Sequence, residues 1–135
     1  ELFGELGYTT FSDKAKNFYD GTVLFDKQQV GINLDADENG PTKAQKEFFV
    51  KLRDNYAVIK RDVIVPYLKK ELEDWLAENP NIDFDKEFTI DGISLPNITV
   101  QPVEWSLTLY SATIEHYVTI EFIDLNPQDG VIVDG

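Results

Sequence analysis

The sequence predicts an α+β fold: one domain over residues 1–135, with an antiparallel sheet of about five to six strands in the order β-β-β-α-α-β-β-β and a helical block on one face. Three observations predict it. Thr42 to Glu78 is the only long stretch with helical period, and short strand-like runs lie on both sides of it. A length of 135 residues is enough to bury one core without disulfide or metal staples. Strands are therefore expected within residues 2–34 and 103–133, and helices within 42–78.

Leu2 to Thr10, with Phe3, Leu6 and Tyr8 among small residues, reads as a first edge strand, and Ser12 to Asn17 as a loop. Phe18–Phe25 and Gln29–Leu34 read as a strand pair; in the second, Val30, Ile32 and Leu34 alternate with Gln29, Gly31 and Asn33. Two turns compete for this hairpin. Asp20-Gly21 has the better turn chemistry, but Asp26-Lys27 leaves strands of matched length and is preferred. Asp35 to Gly40 is a loop, and Thr42-Lys43-Ala44-Gln45 fits a capping box opening the helix after Pro41.

Phe48, Phe49, Leu52 and Tyr56 form a helical stripe continued by Val63, Ile64, Tyr67, Leu68, Leu72, Trp75 and Leu76. Pro66 removes a hydrogen bond and crowds the preceding turn, so two helices are expected, with a break near Asp54–Asn55 or a start or kink near Pro66. Asn79-Pro80 ends the block. Ile82 to Pro102 is interrupted by Pro96 and Pro102 and shows no clear element. Val103–Tyr110 and His116–Ile123 are alternating strands joined by a Ser111–Glu115 turn. Asn126 to Gly130 then makes a turn before a short last strand, Val131–Val133.

The net charge of -13 is distributed unevenly. Residues 1–70 hold 11 Lys/Arg and 11 Asp/Glu, whereas residues 71–135 hold Lys86 against 14 acids. Nucleic acid and anionic membranes are not expected partners, because binding them needs a basic footprint. A basic protein partner suits such a field, which also keeps a small domain soluble. The chain has no cysteine, which rules out disulfides and thiol chemistry and fits a cytoplasmic setting. No apolar run approaches the roughly 20 residues of a membrane span. Glu1 to Leu6 has no signal-peptide pattern, and the missing initiator Met implies that something preceded Glu1.

Asp35-Ala36-Asp37-Glu38-Asn39-Gly40 matches the first half of an EF-hand loop, with Asp35, Asp37 and Asn39 as candidate calcium ligands. The twelfth position is Lys46 where a bidentate acid is needed, and a strand precedes the loop, so a strand-to-helix turn is the better reading. His116, the only histidine, shares a phase with Val118, Ile120 and Phe122 and reads as structural. Ser111 and Glu115 lie nearby without triad spacing. The acid pairs Asp83/Asp85 and Glu71/Asp74 are what 25 acids produce by chance. Asn97-Ile98-Thr99 is a glycosylation sequon by pattern only. The most suggestive set is the outward phase of the two late strands, Glu104, Ser106, Thr108, Tyr110, Tyr117, Thr119 and Glu121. Tyrosines among small polar residues and acids suit a protein-contact surface, although exposed strands also carry Thr and Tyr for β-propensity.

Phe3-Gly4-Glu5-Leu6, the strand pair Gly21–Phe25 and Val30–Leu34, the acidic loop into Thr42–Gln45, and the ending from Glu121 through Asn126-Pro127-Gln128-Asp129-Gly130-Val131 resemble a family of small acidic bacterial domains of unknown function, several found near toxin–immunity genes. The chain departs from that pattern at Ile82–Pro102, which is longer and richer in proline. The resemblance implies a cytoplasmic, non-enzymatic protein that inhibits a cognate toxin, and it carries over no catalytic residue. The expected function is therefore an immunity-type inhibitor binding a basic partner through the acidic C-terminal half, without a cofactor. The alternatives are a calcium-binding module, an uncharacterised structural domain and, last, an enzyme using His116 or an acid pair.

Overall fold

The computed structural model describes residues 2–98 and 102–134. Strand β1 (Gly7–Thr9) is followed by a single 3₁₀ turn at Lys14–Lys16 and by the long hairpin of β2 (Phe18–Phe25) and β3 (Gln28–Asp35). Helix α1 (Lys43–Ile59) runs through a wide π turn (Lys60–Ile64) into α2 (Val65–Glu71) and α3 (Glu73–Glu78). One short turn of helix, α4 (Phe84–Glu87), leads into β4 (Phe88–Leu95), and β5 (Glu104–Ser111), β6 (His116–Ile123), β7 (Asn126–Pro127) and β8 (Ile132–Asp134) complete the chain. The strands form one sheet in the order β1-β2-β3-β4-β5-β6-β7, with β8 also on β6.

The α+β class and the helical cover are as the sequence predicts, but among the described residues the sheet has eight strands rather than five to six. The main addition is β4, inside the stretch that shows no clear period. It lies parallel to β3, and every other pair among the described residues is antiparallel. A parallel neighbour needs a crossover connection, which the helical block supplies. The expected first strand shrinks to three residues, because Phe3 is buried against Phe49 instead (ring centroids 5.2 Å apart). The last turn comes earlier than expected: Asp124 takes a left-handed φ of 54°, and Asn126 already pairs with Ile123.

The first hairpin turns at Asp26-Lys27, with φ of 48° and 65°. Both central residues in the left-handed region suit the right-handed twist of the strands. Gly21 serves another purpose: a Cβ there would lie 2.7 Å from the Glu5 carbonyl oxygen, so the bare backbone lets the N-terminal segment cross β2. Thr42 and Gln45 form the expected capping box. In α1 the buried positions are 45, 49, 52, 56 and 59, and the next one is Ile64. The wide turn inserts one residue into that series, and Val65 N–H bonds the Lys60 carbonyl five residues back. This loosening accommodates Pro66, whose ring would clash in a regular helix. No break occurs at Asp54–Asn55; the second interruption is Leu72.

One sheet face meets the helices. Val23 and Phe25, then Val30, Ile32 and Leu34, Ile90 and Ile93, Leu107 and Leu109, and Val118 and Ile120 are buried there with Phe49, Leu52 and Leu68. Trp105 stacks on Phe122 at 4.3 Å, and its indole N–H donates to the Asp124 carbonyl at 2.6 Å. Among the described residues no helix is long and apolar enough to cross a membrane.

Two buried polar side chains close this frame. Gln45, fully enclosed, accepts from Thr42 N–H (2.9 Å) and donates to the carbonyls of Asp35 and Pro96 (both 2.8 Å). Glu87 accepts from Ser111 Oγ (2.6 Å), Thr113 N–H (2.7 Å) and the Thr113 hydroxyl, fastening the β5–β6 turn to the start of β4. Burial opposes ionisation of Glu87, but the hydrogen bonds from Ser111 and Thr113 outweigh it and hold the carboxyl below its usual range. Its stabilising contribution is therefore complete above the unfolded value of about 4.3 and lost as pH falls through the folded value.

Gln45→Leu should lower the unfolding free energy by about 1–3 kcal/mol in urea titrations, since it orphans an amide and two carbonyls. Glu87→Gln should cost a similar amount at pH 7, about 1–3 kcal/mol, and the gap from wild type should narrow below about pH 4. A gap that widens in acid would contradict the anionic clamp.

Candidate functional site

The helices cover one face of the sheet and leave the other open. Because side chains alternate along each strand and paired residues share a face, the pairing register writes the open face as rows. One row runs Asp20, Asn33, Ser94, Ser106, Glu121, and the next runs Thr22, Gly31, Gly92, Thr108, Thr119, Ile132. A third, at the β5–β6 end, holds Thr89, Tyr110, Tyr117 and Asp134.

All seven residues expected at a contact surface lie on this face. Ser106 pairs with Glu121, the Thr108 and Thr119 hydroxyls bond each other at 3.0 Å, and Tyr110 meets Tyr117 edge-on at 5.3 Å. Glu104 pairs with Ile123 at the far end. Tyr117 and Ile132 stay 41% and 42% exposed, large enough to leave an apolar corner without cover from the chain.

Sequence reasoning misses the other half of the face, Asp20, Asn33, Asp35, Asp91 and Ser94. The alternation signal was present in β2 and β3, but only the β3–β4 pairing brings those residues beside β5. Asp91 owes its position to a bulge between Ile90 and Gly92, which shifts the register and leaves its side chain exposed.

The five long strands β2 to β6 contain five acids, Asp20, Asp35, Asp91, Glu104 and Glu121, and no Lys or Arg. All five lie on the open face, and none is in an ion pair among the described residues. Eight cations and seven acids nearly balance across residues 43–78, the helical layer.

Two shallow depressions mark the face. One, of about 410 Å³, is bordered by Asp35, Ser94, Glu104, Ser106 and Glu121, and the other, of about 290 Å³, by Asp20, Gly31, Asn33, Asp91 and Gly92. Ser94 borders both. Partial burial of Asp35 pushes its carboxyl above the usual range.

The loop that resembles half an EF-hand is used as a turn. Asp37 accepts from Asn39 N–H at 2.9 Å through its carboxylate, while its carbonyl takes Gly40 N–H (3.0 Å) and the Tyr19 hydroxyl (2.8 Å). Asp35 borders the 410 Å³ depression instead. Among the described residues no three acidic or histidine side chains gather as metal ligands. His116, read as structural from its phase with the core residues of β6, is exposed, and Ser111 is buried with its hydroxyl given to Glu87. Thr99 of the sequon lies outside the described residues.

No family model matches the chain, and no curated protein or solved structure matches it. The resemblance to small acidic bacterial domains therefore rests on the sequence segments alone.

Because the fold disfavours the charged form of Asp35, its ionisation weakens stability above the folded pKa and has no effect below the unfolded value of about 3.9. Asp35→Asn should raise the melting temperature at pH 7, and the gain should vanish near pH 3. A variant less stable than wild type at pH 7 would mean that the carboxylate has a favourable partner.

Proposed function

We propose that this chain is a non-enzymatic protein-binding domain, an immunity-type inhibitor, that docks a basic protein partner on the open face of its sheet. One observation carries the reading: every charged side chain of the five long strands is acidic, faces outward and is unpaired among the described residues. A face of this kind speeds encounter with a cationic surface and rejects anionic ones. The Tyr110/Tyr117 corner with Ile132 supplies the broad, stiff contact area on which binding energy concentrates. A cognate toxin that handles nucleic acid would present a suitable basic cleft, and the cytoplasm is the setting this implies.

The test starts from proteins retained by immobilised wild type from a native lysate and eluted in a salt gradient. The triple variant Asp20→Asn, Asp91→Asn, Glu121→Gln removes three charges from the face. The control Glu73→Gln, Asp74→Asn, Glu78→Gln removes three from the helical layer. The face variant should lose about tenfold or more in association rate toward the retained partner, while the control stays near wild type. Tyr117→Ala should weaken affinity by roughly thirtyfold, mainly through faster dissociation. Equal losses in both charge variants would reduce the effect to net charge and sink the docking face.

A further inference from the structure

We infer that the centre of the open face is a seat for a single arginine side chain of the partner, with Gly31 and Gly92 as its floor and Asp20 and Asp91 as its acceptors. The inference rests on the docking-face reading and adds a location and a side-chain identity to it.

Gly31 and Gly92 are paired across the parallel β3–β4 junction, at the middle of the row that begins with Thr22 and ends with Ile132. Every other residue in that row carries a side chain. Two adjacent glycines therefore leave bare peptide planes in the middle of the sheet, beside the bulge at Ile90–Gly92. The 290 Å³ depression above them sits at the lower limit of small-ligand pockets, which suits one long side chain better than a metabolite.

Its walls are polar. Asp20 and Asp91 are exposed carboxylates without an ion-pair partner among the described residues, and Asn33, Ser94 and Thr108 add oxygen acceptors. The bulge that displaces Asp91 turns its carboxylate to the rim of this depression. A guanidinium is planar, weakly hydrated and forked. It can lie flat on peptide planes and give separate N–H donors to carboxylates on two sides. An ammonium is a compact, strongly hydrated point charge and gains less from a flat floor.

Gly92 permits a test that leaves the charge untouched. A Cβ at this position would meet only the Gly31 carbonyl oxygen, at 3.5 Å, an ordinary contact, so Gly92→Ala should fold while raising the floor. The full chain, labelled with ¹⁵N, is titrated with acetyl-Gly-Ser-Arg-Ser-Gly-amide and with the same peptide carrying lysine or citrulline. The arginine peptide should shift the Gly31 and Gly92 amides saturably, bind several-fold more tightly than the lysine peptide, and bind about tenfold more weakly to Gly92→Ala and to Asp91→Asn. Citrulline should not bind. Unchanged binding to Gly92→Ala, with loss in the triple charge variant of the face, would overturn the seat while leaving the docking face standing. Equal affinity for lysine would overturn the arginine assignment. Binding indifferent to Gly92→Ala, Asp91→Asn and the triple charge variant would sink the seat and the acidic face together.

Discussion

A side-chain amide with no access to solvent must find protein partners for all its polar atoms, and Gln45 finds them in its own helix cap, at the end of β3 and just beyond β4. Its oxygen closes the capping box at the start of α1, and its nitrogen holds the last carbonyl of β3 and the first carbonyl beyond β4. Among the described residues the two strands so joined are the only parallel pair in the sheet. Parallel strands cannot be set by a tight turn, so their register depends on whatever fixes the ends of the crossover. Here that is one glutamine. β2 takes its register on β3 from the Asp26-Lys27 hairpin and β5 takes its register on β4 across the bulge at Ile90–Gly92, so the layout of the open face depends on this contact together with that bulge.

The helical layer has a matching constraint at its other end. The π turn delays the buried series by one residue, so Ile64, Tyr67 and Leu68 reach the sheet although Pro66 bars a regular helix. Downstream, the Tyr67 hydroxyl donates to the Gln128 carbonyl (2.7 Å), and Glu71 accepts from Gly130 and Val131 N–H (2.7 and 3.1 Å). The C-terminal segment is thus tied to α2 as it leaves β7, which carries it back along β6 as β8. Ile132 reaches the open face by this route.

Local chemistry made some of this legible. The β5 and β6 alternation, the capping box and the Asp26-Lys27 turn each depend on residues close in sequence, and each appears where expected. Gly21 offered a rival turn, because a glycine beside an aspartate suggests one, but strand length decided for Asp26-Lys27, and the glycine instead clears space for the backbone of Glu5. Strand β4 was hidden by its own bulge: Phe88 and Ile90 share one phase, Ile93 and Leu95 the other, and a period-two pattern cannot span the slip. The site followed the same division. The β5–β6 half of the face was visible in alternation, but the β2–β4 half depended on a long-range pairing that no local pattern encodes.

The spacing of the charges bears on what the face can hold. Strands lie about 4.8 Å apart, so Asp20 and Glu121, at the two ends of one row, are separated by about 19 Å. That is more than twice the Debye length of about 8 Å at physiological salt, so the two ends scarcely repel each other in the free protein. The residues between them, Asn33, Ser94 and Ser106, are neutral. A single ion could touch only one end of such a row. A broad cationic surface pressed against the sheet would displace the screening salt and meet the carboxylates together. The arrangement costs the isolated domain little, apart from half-buried Asp35, and its electrostatic effect is largest when the whole face is covered.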